Sequence, residues 1–432
     1  MKRLAAALVV LAATSVSAQD LTRVVGSYCA SCHNGRLRSP GGLLLESFSG
    51  TVADRPELWA KAYRQLQAGA MPPVGSPRPD AASVNAALVA IERGLQGERH
   101  QTASSHVVAT RLAAMLWNAA PDAELKREAG RDRLREAPAV ERQVRRMLAD
   151  DRAQAVVSRF FVPWLQLDTL AKADPDTTFF PGYDVALRDA LGRETELFLL
   201  SQLRDDRDPI EVWSAGYTFV NERLAAHYAI AGVSGSQFRR VALTAPERAG
   251  LLGHGSIAMI TSRHQHGVDA AYTTPATRAK WVRLRYFGAP LPNGFPGAQP
   301  VKPELPITPQ TRTLAAEPCV NCHRNFFPIG YALENFDPLG RWRTHDQAGP
   351  VDVSGEFVDG TPTNGIVELR AALLRRPDAF RTTVIEGLVA YASTGAVTGP
   401  PGTAQTLADA RRILQATPAR WSALIAAVAR AR

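Results

Sequence analysis

Apolar positions recur every three to four residues along most of the chain, which predicts helices. Leu21 to Ser27 reads as a short helix, Leu58 to Leu66 as a second and Ala81 to Leu95 as a third. Arg111, Leu112, Met115, Leu116 and Trp117 lie on one amphipathic stretch. Val140–Leu148 and Gln154–Leu167 form two more, and Pro163 is expected to kink or end the latter. Tyr183–Leu203 is a longer helix. Met115, Met147 and Trp164 fall on apolar helical faces and read as core. Elements shorten from 207 to 284, where Phe238–Leu243 has the pattern of a strand and Arg248–Met259 that of a close-packed helix of small residues. Seven prolines in residues 289–310 predict an extended linker. Val351–Asp359 predicts a hairpin around Ser354-Gly355, and Val367–Arg432 a helical tail broken at Gly395–Gly402.

The composition is that of a folded protein. With 432 residues, 45% hydrophobic and 21% charged, the chain can bury two or three cores, and disorder is excluded as its main state. The 32 glycines and 30 prolines follow no period, so a collagen-like chain is excluded, and no repeat period marks a solenoid. The net charge of +9 falls to +7 without Lys2 and Arg3, which sit in the leader described next. The remaining basic residues are scattered in pairs such as Arg375-Arg376 and Arg411-Arg412, as expected of solvated helix faces. No nucleic-acid-binding motif is present, so nucleic acid is not an expected partner.

Residues 1–18, MKRLAAALVVLAATSVSA, have the form of a signal peptide. Lys2 and Arg3 form the basic end, Leu4–Ala13 the apolar stretch, and Val16 and Ala18 a small-residue cleavage site. The apolar stretch is too short to span a bilayer. The expectation is an exported, periplasmic bacterial protein that starts near Gln19 and has no transmembrane segment after cleavage.

All four cysteines fall in two copies of one pattern, Cys29-Ala30-Ser31-Cys32-His33 and Cys319-Val320-Asn321-Cys322-His323. CxxCH is the attachment motif of c-type haem. Two thiols three positions apart reach the two vinyl groups of one porphyrin, and the adjacent His lies under the iron. A zinc ribbon does not need His after both pairs, and a dithiol oxidoreductase places CxxC at a helix start after a strand, a context neither copy has. The implied cofactors are two covalently attached haems c, with His33 and His323 as proximal ligands. About 38 residues beyond His33 stands Met71-Pro72-Pro73, similar to the segment by which class I cytochromes c bring a thioether to the iron. Met71 is therefore the candidate second ligand of the first haem.

The stretch CVNCHRNFFPIGYALENFDPLGRWR, Cys319–Arg343, resembles the planctomycete-type multidomain cytochrome c proteins, a family of poorly known function. WNAAPDAEL (Trp117–Leu125), QVRRMLADDRA (Gln143–Ala153), GYTFVNERLAAHYAI (Gly216–Ile230) and TTPATRAKW (Thr273–Trp281) are similar to it as well. The resemblance covers roughly residues 105–430. It departs from the family pattern at Tyr391-Ala392-Ser393-Thr394-Gly395 and at Arg263-His264-Gln265-His266-Gly267. What it implies is a helical, exported haem protein, with no established reaction.

The expected architecture is thus mainly α. A class I cytochrome c-like domain (19–98) precedes a helical middle region (105–284) and a Pro-rich linker (285–312). A second haem-binding domain with a small β-hairpin and a helical tail follows (313–432). The distal ligand of the second haem is open among His345, His254, His264, His266, Met259 and no side chain at all. Asp337, Arg341 and Trp342 read as a tight turn, with Arg341 paired to a propionate or to Asp337. Three functions fit. One is electron transfer to a redox partner protein or a small-molecule acceptor. Another is a peroxidase- or oxygenase-type oxidoreductase with an open C-terminal haem. The third is a non-redox binding role for the middle region.

Overall fold

The computed structural model describes residues 20–36, 43–46, 48, 51–96, 102–175, 177–262, 273–290, 326–346, 349–397, 399 and 401–431. The chain is mainly helical with a few short strands. The expected signal peptide, Cys319, Cys322, His323, His264, His266 and most of the Pro-rich segment lie outside these residues.

Several helices begin where a side chain caps them. Asp80 accepts from the Ser83 backbone N–H to start α2 (Ala81–Leu95), which follows α1 (Pro56–Gln67). Ser104 starts α3 (Ser105–Trp117) in the same way, and Asp122 starts α4 (Ala123–Gly130). After α5 (Ala137–Ala149), residues 154–165 run as one helix widened to a π turn at Val157–Phe161, two residues before Pro163. Proline offers no N–H at that point, and the helix stops at Gln166 with φ 65°. Asp184 caps the long α6 (Val185–Arg204).

A two-stranded antiparallel pair follows, β1 (Tyr217–Val220) against β2 (Arg239–Ala242), with Tyr217 opposite Ala242. Between them lies α7 (Glu222–His227). The close-packed helix expected over Arg248–Met259 is instead two 3-10 turns, Pro246–Arg248 and Leu251–Gly253, and a short α8 (Gly255–Ile260). Gly250, at φ 64°, breaks the run. Next come α9 (Pro275–Phe287) and α10 (Phe327–Tyr331). Helix α9 extends to Phe287, three residues into the segment read as linker.

Two hairpins succeed α10. Strand β3 (His345–Asp346) pairs with β4 (Gly349–Pro350), and β5 (Ser354–Glu356) with β6 (Pro362–Asn364). The expected turn at Ser354-Gly355 is therefore a strand. The chain turns at Asp359-Gly360, where Asp359 accepts from the Thr361 N–H at 3.0 Å and Gly360 takes φ 86°. The tail is α11 (Ile366–Leu374), α12 (Pro377–Thr394), α13 (Ala404–Ala416) and α14 (Trp421–Arg430).

The main core draws on middle and tail alike. Leu112, Met147, Trp164, Trp213, Trp281 and Tyr286 share it with Phe380, Trp421 and Leu424. The apolar interior is thus continuous across the boundary read at 284–313. Met115, Met147 and Trp164 are buried in it. A separate small core holds Leu21, Val25, Trp59, Tyr63 and Ile91 of the N-terminal module, closed by Ala404, Leu407 and Ala408 of α13. The tail helix therefore completes the N-terminal module.

Buried charges fasten this contact. Arg64 of α1 pairs with Glu386 of α12 at 2.7 Å, with side chains 3% and 2% exposed, and also donates to the Gly402 carbonyl at 2.8 Å. Glu92 of α2 accepts from Tyr63 at 2.7 Å, from Gln415 at 2.8 Å and from Arg411. Arg64→Met strands the Glu386 carboxylate in the core. The expected cost is about 3–5 kcal/mol, read as a lowered midpoint of urea unfolding.

Candidate functional site

The first CxxCH motif lies at the end of a helical segment over residues 20–29, whose last turn, Val25–Cys29, is π. The Ala30 N–H bonds the Val25 carbonyl at 2.9 Å, which holds the wide turn, a geometry common at functional sites. Cys29 follows on this turn and is half-buried, while Cys32 is exposed, and both thiols are free. Burial, and secondarily the neighbouring Cys32, push the Cys29 thiol up to about 11.

His33 is positioned by two backbone bonds. Its N–H reaches the Cys29 carbonyl at 2.9 Å, and its carbonyl accepts from the Leu45 N–H at 2.8 Å. Its ring Nδ1 lies 3.3 Å from the Leu43 carbonyl. A carbonyl only accepts, so this bond requires the tautomer with the proton on Nδ1, which leaves Nε2 as the basic nitrogen. This is the outer-sphere arrangement that orients a metal-ligating imidazole. Burial lowers the His33 pKa against the raising effect of that hydrogen bond, which favours the neutral, ligating form.

Met71 follows α1 on a loop whose preceding residue, Ala70, is buried at 2%. The Met71 side chain itself is 38% exposed, and Leu44, beside the carbonyl that meets His33, is also exposed. An oriented imidazole beside two free thiols is donor chemistry that fits a c-type haem, and a soft thioether such as that of Met71 is of the type that suits its iron. Among the described residues no cluster of three or more His, Cys, Asp or Glu is arranged to hold a metal ion.

The described candidates for the second iron fare differently from one another. His254 is enclosed, its Nδ1 2.9 Å from the Thr195 hydroxyl and its ring edge-on to Phe198. Burial, and then the Arg248 charge, lower its pKa to about 3. Met259 is fully buried in a small core with Leu187, Leu191 and Leu339. His345 is exposed on β3, with Nδ1 3.1 Å from the Thr344 hydroxyl. Asp337 does form a tight turn, accepting from the Leu339 and Arg341 backbone N–H groups, each at 2.8 Å. The expected side-chain pairing of Arg341 with Asp337 is thus a backbone bond. A short carboxylate placed two and four residues ahead meets amides more readily than the mobile guanidinium.

Two buried networks escaped the sequence reading. In the first, Arg278 of α9, 2% exposed, donates to the Leu333 and Phe336 carbonyls and pairs with Glu334 at 3.2 Å. Arg343 bonds Glu334 from the other side at 3.2 Å, and Thr273 donates to the same carboxylate. In the second, Glu194 of α6 is enclosed and accepts from Thr218 and Tyr228, both at 2.6 Å. Tyr228 in turn accepts from the Gly255 N–H at 2.7 Å, under the Arg248 guanidinium, 3.8 Å from its ring. Arg248 reaches the Gly340 carbonyl at 3.0 Å and His227 the Leu339 carbonyl at 2.8 Å. Gly340 sits so close that a Cβ there would lie 2.3 Å from Gly255 Cα. Part of the signal was present in the sequence, since Thr218, His227, Tyr228, Thr273, Arg278, Glu334 and Arg343 stand within the similar stretches quoted above, whereas Glu194 and Arg248 stand outside them. Their meeting around the segment that follows the second CxxCH motif was not legible.

Two domain families match the chain. PSD4, a protein family of unknown function (DUF1592), matches residues 103–230, and PSCyt3, a protein family of unknown function (DUF1588), matches residues 248–346. Both are domains of the planctomycete-type cytochrome c proteins, which supports the resemblance read from the sequence. No curated protein and no solved structure matches. Among the described residues no helix is long and apolar enough to cross a membrane.

Burial raises the Glu194 carboxyl from 4.5 to about 7, against the lowering effect of its Thr218 and Tyr228 bonds. Between those values the folded chain keeps a proton that the unfolded chain has released. Stability contributed by this group is therefore complete below about 4.5 and is lost as pH rises toward about 7. Urea unfolding across that range is expected to show the decline in the wild type and a flatter profile in Glu194→Gln.

Proposed function

We propose that this chain, which carries two domains of the planctomycete-type cytochrome c proteins, is an exported dihaem c-type cytochrome acting in periplasmic electron transfer. Cys29 and Cys32 would attach the first haem, and His33 and Met71 would ligate its iron. Cys319 and Cys322 attach the second, with His323 as its proximal ligand. The N-terminal module is of class I cytochrome c type, and the rest of the chain forms a helical body with the second haem site in its C-terminal half. The observation that carries this reading is the His33 ring, turned by the Leu43 carbonyl beside two free thiols.

A bound haem supplies reversible one-electron chemistry at iron. The protein's part is to hold the ligands, exclude water and set the potential. Half-burial at His33 and the thioether of Met71 both disfavour the extra positive charge of the ferric state, which raises the potential. The partner is a redox protein or a small-molecule acceptor, and no role for nucleic acid is proposed.

A second reading is a peroxidase- or oxygenase-type enzyme with an open C-terminal haem. One observation favours it, the enclosure of His254 and Met259 in packed cores, where they are poorly placed to reach an iron. Carbon monoxide binding by the reduced wild type, in proportion to one haem of two, supports this reading; no binding supports electron transfer.

The test of the main proposal is covalent haem content. The full chain, produced with c-type maturation in an export-competent host, is expected to carry two haems. Cys29→Ala with Cys32→Ala, and separately Cys319→Ala with Cys322→Ala, are each expected to leave one. A wild type without covalent haem overturns the proposal.

A further inference from the structure

The N-terminal module carries the proposed ligands of the first haem, yet the loop that presents Met71 is not built on that module's own core. Ala68 and Ala70, the residues on either side of Gly69, are buried in the main core of the middle and tail regions. The small N-terminal core contains neither. Gly69 takes φ 71°, and a Cβ there would lie 3.2 Å from the Arg376 guanidinium. Arg376 is itself paired with Asp359, at the turn between β5 and β6.

One side chain ties this loop to that turn. The Arg78 guanidinium donates to the Gly69 carbonyl at 3.1 Å and to the Val358 carbonyl at 3.0 Å, the latter 280 positions beyond Arg78 itself. Further along the loop, Val74 lies 4.0 Å from the position of a Cβ on Gly360. The Met71 side chain is 38% exposed, so packing around the thioether holds it only in part. Its position depends on the backbone that carries it, which is held on one side by α1, where the Leu66 and Gln65 carbonyls accept from the Gly69 and Ala70 N–H groups at 2.9 Å, and on the other from the C-terminal side through Arg78.

We propose that Arg78 is a positioning residue: by bridging the Gly69 and Val358 carbonyls it lets the C-terminal region hold Met71 in place as an axial ligand. This inference rests on the reading of Met71 as the ligand of the first haem. The physical basis is preorganisation. A ligand on a restrained loop recaptures the iron without first ordering its backbone, whereas a released loop loses conformational entropy each time the bond forms. Removing the bridge frees the loop, and a competing ligand then displaces the thioether more easily. The C-terminal hairpin thereby tunes a haem bound at the opposite end of the sequence.

The experiment titrates imidazole into the oxidised, haem-loaded full chain and follows the charge-transfer absorption of the iron–thioether bond. Midpoint potentials are measured beside it. Met71→Ala is expected to lack the band. Arg78→Ala is expected to keep covalent haem, to lower the potential of the first haem, and to bind imidazole there about tenfold more tightly. Arg78→Lys, which can still donate to a carbonyl, is expected to restore part of the difference. Should Arg78→Ala fail to fold, Asp359→Asn takes its place. This variant loosens Arg376 at the same turn, and a smaller gain in imidazole affinity is expected. If Met71→Ala loses the band but Arg78→Ala, or Asp359→Asn in its stead, matches the wild type in both affinity and potential, the positioning role is overturned while Met71 ligation stands. If the wild type has no band, or Met71→Ala retains it, the ligand reading fails and the inference with it.

Discussion

Arg278 holds together the part of the molecule that follows the second CxxCH motif. Its guanidinium is buried and donates through its terminal nitrogens to two main-chain carbonyls and to Glu334. Burial lowers its pKa to about 10, so it stays charged at neutral pH. A buried charge of this kind tolerates no loss of partner, because the one left behind must be solvated by an apolar interior. Glu334 is in turn shared with Arg343 and Thr273. The arrangement closes only if α9, the residues after α10 and the approach to β3 are all in register. Specificity of arrangement, more than net stabilisation, is what such a network contributes.

The same logic operates where the N-terminal module meets the rest of the chain. Arg64 with Glu386, and Glu92 with Tyr63, Arg411 and Gln415, are buried polar contacts between distant parts of the sequence. They flank an apolar contact in which α13 supplies Ala404, Leu407 and Ala408 to the small core. Small side chains there allow close approach, and the charged groups select one docking geometry among the many an apolar surface permits. For the proposed electron-transfer role this matters, since a haem module swinging on a flexible linker holds no fixed distance to a second centre. The docking seen here gives the proposed first haem a fixed relation to the body of the chain.

The buried Glu194 network has a related geometry but a different electrostatic balance. Its carboxyl has hydroxyl partners and, among the described residues, no direct ion pair, with Arg248 acting across the Tyr228 ring. Through Arg248 and His227 it touches the Leu339 and Gly340 carbonyls. The segment after the second CxxCH motif is therefore gripped on two sides, by Arg278 through Leu333 and Phe336 and by Arg248 and His227 through the Asp337 turn.

Much was legible in the chain itself. Helical periodicity located α2 at Ala81–Leu95 and the tail helices around the break at Gly395–Gly402, because a buried stripe repeats every turn whatever it packs against. Met115, Met147 and Trp164 were identifiable as core for the same reason. The CxxCH spacing pointed to haem because the chemistry is local, confined to five consecutive residues. Local signals failed where glycine and turn residues decide the outcome, as at Gly250 and at Asp359-Gly360, whose positive φ carries the turn that Ser354-Gly355 was expected to make. Tertiary structure alone decided that α13 completes the N-terminal core, that Arg278 meets Glu334, and that Arg78 spans from Gly69 to Val358. Each joins residues far apart in sequence, and a buried cation finds its carbonyl partners only when the packing of whole helices brings them within hydrogen-bonding reach.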